Sequence, residues 1–78
     1  MADQKEIIEA VADILTLPVA DVDLEGSLQD DLGLNPVEIA DLLNGVSIKF
    51  RIIFDPSEAE SIKTVGDLVE LIEDKLLE

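Results

Sequence analysis

Asp31-Leu32-Gly33-Leu34-Asn35-Pro36-Val37-Glu38-Ile39-Ala40-Asp41-Leu42-Leu43 turns a glycine-containing loop into a helix, and the side chains specify where the helix starts. Asn35 is a favoured N-cap, and Pro36 takes the first helical position, where its missing N–H costs nothing. Glu38, three residues past the cap, can close a capping box; such a cap is worth about 1 kcal/mol. Ile39, Leu42, Leu43, Val46 and Phe50 then recur on one stripe, which predicts a helix from Pro36 to about Phe50 with that face in the core. Gly45, beside Asn44 in mid-helix, costs about 1 kcal/mol relative to Ala, so the second half is expected to bend or fray. Turning roughly 100° per residue, the same helix puts Val37, Asp41, Asn44 and Ile48 on the opposite face, with Glu38 beside them.

Upstream, Asp3 and Glu6 form a second candidate capping box. Ile7, Ile8, Val11, Ile14 and Leu15 follow at helical spacing until Pro18 stops the pattern. The opposite face of this helix, with Glu6, Glu9 and Asp13, reads as solvated. Residues 17–34 have no long period and are punctuated by Pro18, Gly26 and Gly33, so they read as a long loop anchored by Val19, Val22, Leu24, Leu28, Leu32 and Leu34. Within it, Asp21, Asp23, Glu25 and Gly26 match the early positions of an EF-hand loop. The closing position is Leu32 instead of a bidentate Glu, and Pro18 breaks the preceding helix, so no metal site is expected.

Downstream, Arg51-Ile52-Ile53-Phe54 alternates like a strand but has no second strand to pair with, so a sheet is rejected. Phe50, Ile52 and Phe54 are expected to plug the core, leaving Ile53 exposed. Asp55-Pro56-Ser57-Glu58 reads as a turn into a short helix, Ser57 to Ile62. Thr64 caps a last helix with Asp67 at the capping-box position and Val65, Leu68, Val69, Ile72 and Leu76 as its buried stripe.

Composition excludes several classes of function. A chain of 78 residues is one small domain, residues 1–78, burying only about 60% of its unfolded surface. Five basic residues against nineteen acidic give a net charge of −14, which disfavours nucleic acid and anionic membranes and favours basic protein surfaces. Self-repulsion loosens such a fold at low ionic strength, and added salt relieves it. With no Cys and no His, neither a thiol site nor a nucleophile–base pair of the usual kinds can be built, so the chain is expected not to be an enzyme. No apolar run reaches membrane-spanning length, and the N-terminus lacks an apolar core, so a cytoplasmic monomer is expected.

The short acidic length, the Asp31-Leu32-Gly33-Leu34 approach, the helix ending near Phe50, Glu58-Ala59-Glu60-Ser61-Ile62 and Thr64-Val65-Gly66-Asp67-Leu68 together resemble the acyl carrier proteins of fatty-acid and polyketide synthesis. The resemblance covers nearly the whole chain. It implies an all-α, acyl-carrier-protein-like bundle of three main helices plus one short helix, with the long loop between helices one and two. The family's attachment motif is Asp-Ser-Leu, whose serine oxygen takes phosphopantetheine from coenzyme A; this chain reads Asn35-Pro36-Val37 there. Proline has no hydroxyl, so no cofactor is expected at Pro36.

In the family, acidic residues and an apolar one after the serine meet partner enzymes, so the resemblance assigns docking to Val37, Glu38 and Asp41. The outward Ile48 is added to them. Ser47, Ile48 and Lys49 stand where the family commonly carries acidic residues, which implies a partner other than that of a housekeeping carrier. The expected function is therefore non-enzymatic docking to a basic or apolar patch on a protein partner, a synthase-type enzyme or a carrier-binding protein. The alternative is a working acyl carrier, modified at Ser27 or Ser47 or altered from a serine-containing parent, and only then is phosphopantetheine expected. Neither serine has both an Asp before it and a Leu after it. A calcium or lipid buffer is a third and weaker reading, because the acidic loop lacks its closing ligand.

Overall fold

Asp3 caps the first helix, its Oδ1 accepting the Glu6 N–H at 2.9 Å, which is one of the two bonds of the expected capping box. In the computed structural model, which describes residues 3–77, four helices follow one another: α1 (Gln4–Leu15), α2 (Pro36–Phe50), α3 (Pro56–Ser61) and α4 (Val65–Leu77). α1 packs against both α2 and α4, and the short α3 lies on α2. Between them sits an aliphatic core in which Ile7, Val11, Leu42, Val46, Leu68 and Ile72 are essentially inaccessible to solvent. Phe50 and Phe54 are half-buried at its edge instead of filling it, while Ile52 is buried and Ile53 is 81% exposed. Among the described residues there is no strand, and the architecture is all-α.

The helix ends have identifiable causes, and the bounds of α3 differ from the sequence reading. α1 ends before Pro18, because Thr16 turns left-handed (φ 58°) and the Leu17 N–H reaches back to the Ala12 carbonyl at 2.9 Å. α2 ends in the same way: Arg51 has φ 58°, and the Ile52 N–H bonds the Ser47 carbonyl at 3.1 Å. Both are Schellman-type ends made without the usual glycine. α2 continues through Gly45 without a break, since that glycine sits against Ile14. A Cβ at position 45 would lie 3.2 Å from Ile14 Cγ2, so the missing side chain lets α1 approach α2 closely. α3 starts one residue earlier than expected, with Pro56 at its first position, and ends at Ser61.

The 17–34 segment is better ordered than a plain loop. Val19–Asp21 forms a 3-10 turn in which Val19 is 48% exposed and so is not one of the anchors. Leu28 is the principal anchor, fully buried, with Val22, Leu24, Leu32 and Leu34 half-buried around it. Main-chain bonds complete the attachment. The Leu28 N–H donates to the Lys63 carbonyl (2.9 Å), and the loop carbonyls of Gly26 and Leu24 accept from Val65 (3.0 Å) and Gly66 (2.8 Å). Those two N–H groups open α4 and have no partner within their own helix, so the loop caps the helix that holds it. Thr64 and Asp67 complete that start: the Asp67 N–H donates to Thr64 Oγ1 at 3.0 Å, and the Thr64 N–H donates to Asp67 Oδ2 at 3.1 Å.

This attachment leaves no room for a side chain at Gly66, where a Cβ would lie 2.9 Å from the Leu24 carbonyl oxygen. Gly66→Ala should therefore cost about 1–3 kcal/mol, despite alanine's better helix propensity, by pushing the loop off α4. Urea denaturation reads this directly, and a variant as stable as the parent would contradict the tight approach.

Candidate functional site

The site is built on the N-terminus of α2. Its approach is a knotted turn: Asp31 Oδ2 accepts the Ser27 N–H at 2.6 Å, Ser27 Oγ accepts the Asp30 N–H at 3.0 Å, and the Leu34 N–H bonds the Leu28 carbonyl at 2.9 Å. Gly33, at φ 68°, makes the left-handed step that an L side chain would resist. Asn35 then closes the box in both directions. Its Oδ1 accepts the Glu38 N–H at 2.8 Å, and its own N–H donates to Glu38 Oε1 at 3.1 Å.

Pro36 is exposed and lies on the rim of a groove of about 550 Å³ between the loop, α2 and α3, which Leu28, Ile39 and Ile62 line together with Ser27. Ala40 and Ala59 line it too, and also a smaller hollow of about 300 Å³ with Asn44, Ser47 and Ile53 on its walls. On the outer face of α2, Glu38, Asp41 and Asn44 are exposed, and Val37 and Ile48 are 69% and 71% exposed. The structure thus brings Val37, Glu38, Asp41 and Ile48 to one accessible face. Ser47 is turned away from it, half-buried, with its hydroxyl donating to the Ile52 carbonyl.

A family model described as "Phosphopantetheine attachment site" matches residues 5–72. The acyl carrier protein of Exiguobacterium sibiricum is 37% identical over 68 residues, covering 87% of this chain and 86% of its own. That of Thermotoga maritima is 35% identical over 80 residues, covering 97% and 99%. The chain belongs to the acyl carrier protein family. It is accordingly not an enzyme but a member of a family of carriers, whose members interact with synthase-type enzymes. Among solved structures, the apo doublet acyl carrier protein from prodigiosin biosynthesis superposes with a TM-score of 0.72 over 92% of this chain at 21% identity, which establishes the shared fold. The chain spans about a third of that doublet, 35% of its length.

The family implies a phosphopantetheine group, and the residues at the start of α2 do not fit one. A phosphodiester link needs a hydroxyl oxygen, which the Pro36 ring lacks, and the neighbouring Asn35 side chain already caps the helix. Ser27 has a hydroxyl on the same groove, but it follows Gly26 instead of an aspartate. Among the described residues no group of three or more His, Cys, Asp or Glu side chains is placed to hold a metal ion, the acidic loop included. Nor, among those residues, is any helix long and apolar enough to cross a membrane.

The fold also holds α3 through a local capping bond and a pair with α4. Glu58 Oε1 accepts the Asp55 N–H at 2.8 Å and pairs with Lys75 Nζ of α4 at 2.9 Å, and the Lys75 ammonium stands 5.6 Å from the Phe54 ring centre. The Asp55 N–H, and after it the Lys75 ammonium, hold the Glu58 carboxyl below its ordinary value of 4.5. At the head of α4, the Lys63 and Thr64 N–H groups hold Asp67 below 3.8 in the same way. Carboxyls whose folded-state values are depressed stabilise the fold above their unfolded values and lose that contribution as pH falls through the folded ones. Stability should therefore drop as pH falls below about 4.5. Glu58→Gln should make that drop shallower in urea midpoints measured between pH 7 and 3; an equally steep drop would show that the Glu58–Lys75 pair contributes nothing.

Proposed function

We propose that this member of the acyl carrier family carries no phosphopantetheine on α2 and acts by docking a protein partner on the outer face of that helix, in the cytoplasm and as a monomer. Pro36 carries the reading. It stands where the family's serine is expected, offers no nucleophilic oxygen, and belongs to a cap in which both reciprocal bonds are made. The change trades an attachment point for a better helix start.

The docking half of the reading is supported by Val37 and Ile48, two large apolar side chains held in solvent on the same face as Glu38 and Asp41. Such a pair costs free energy in water and gains it against an apolar patch, while the carboxylates steer a basic rim into register. A synthase-type enzyme or a carrier-binding protein supplies that chemistry. The alternative, a working carrier loaded at another serine, draws on Ser27, which shares the groove with Pro36. Ser47 offers less, because its hydroxyl is committed to the Ile52 carbonyl.

Val37→Glu and Asp41→Lys test the docking face against synthase-type enzymes of the same host. Each should weaken binding by about tenfold or more while leaving the helical spectrum unchanged. Unaltered affinity for every partner in both variants would remove the outer face of α2 from the account.

A further inference from the structure

A third cleft lies away from Pro36, between α1 and the C-terminal end of α2. It encloses about 600 Å³. One wall is the turn Leu17-Pro18-Val19, the other is Phe50, and the rim along α1 carries Glu6, Glu9 and Asp13. Leu17 and Phe50 are half-buried, Pro18 is exposed, and Val19 is 48% exposed. The turn that the sequence reads as pinned to the core by Val19 is instead folded back by the left-handed Thr16, which leaves that valine beside the cleft.

The lining of the cleft is as much polar as apolar, and its charge is mostly negative. Glu6, Glu9 and Asp13 recur three and four residues apart, so they stack on one face of α1, where like charges repel. All three are exposed. Lys49, on the opposite side, lies in the last turn of α2, where a cation already complements the helix end.

We infer that this cleft is a second docking surface, and that its occupant is an amphipathic basic helix of a partner protein. An apolar side chain of that helix seats against Val19, Leu17 and Phe50, and the Lys or Arg residues beside it meet Glu6, Glu9 and Asp13. A second copy of this chain is the wrong occupant, because its net charge of −14 would set carboxylates against carboxylates. The surface is separate from the outer face of α2, so its test is independent of the function proposed above.

The probe is a synthetic helical peptide of Leu and Lys with its leucines on one face, titrated into isotope-labelled protein at about 0.15 M salt, where exposed charges further apart than roughly 8 Å are screened. The amide shifts are expected to concentrate on residues 6–19 and on Phe50. Val19→Glu makes the decisive variant: it adds negative charge while removing the apolar contact, at a position exposed enough to leave the fold intact. On this proposal it weakens the peptide about tenfold. The proposal is overturned if the peptide does not bind, if its shifts fall on the outer face of α2 instead, or if Val19→Glu leaves affinity unchanged or raises it, as diffuse attraction to an acidic protein would.

Discussion

The fold depends on the main-chain splice between the long loop and the start of α4. A 20-residue connection with no helix of its own beyond one 3-10 turn would normally be mobile, and its ordering has to be offset by specific bonds. Here Leu24 and Gly26 give their carbonyls to the N–H groups of Gly66 and Val65, and Leu28 gives its N–H to the Lys63 carbonyl. Two of these bonds satisfy orphan donors of α4, and all three fix the loop. Leu28, driven into the core, holds the register. Position 35 inherits its place from this arrangement through the Leu34–Leu28 bond and the Ser27–Asp31 turn. The start of α2 is thus positioned from α4, across the bundle.

At that start, two demands compete for the same residues. A helix cap wants side chains committed to the backbone, whereas an attachment point wants an oxygen free to react. Asn35, Pro36 and Glu38 meet the first demand completely, with both reciprocal bonds in place and the proline ring preset for the first turn. What remains exposed is the outer face of the helix, where Val37, Asp41 and Ile48 are held outward by the burial of Ile39, Leu42 and Val46 on the other side. The rigidity of the cap and the presentation of that face follow from the same helical period.

Much of this was legible in the sequence because it is local. The caps at Asp3, Asn35 and Thr64 and the buried stripes of α1, α2 and α4 depend on residues three or four apart. So does the outward position of Val37, Glu38, Asp41 and Ile48. What was not legible depends on distant partners or on strained backbone. Thr16 and Arg51 end their helices in the left-handed region, a role that composition assigns to glycine or asparagine. Gly45 looked like a weak point and is a packing contact with Ile14, and Gly66 admits no side chain. The Glu58–Lys75 pair spans two helices and leaves no trace in local spacing.

The central claim, that the family scaffold is kept here while its covalent cargo is not, is tested most directly by intact mass. The protein purified from its own host is weighed, and again after incubation with coenzyme A and a broad-specificity phosphopantetheinyl transferase, beside a Pro36→Ser variant. The account predicts no added mass on the native chain in either sample and one phosphopantetheine on the variant. A native chain heavier by one phosphopantetheine would contradict it and point to Ser27 or another serine as the site of attachment.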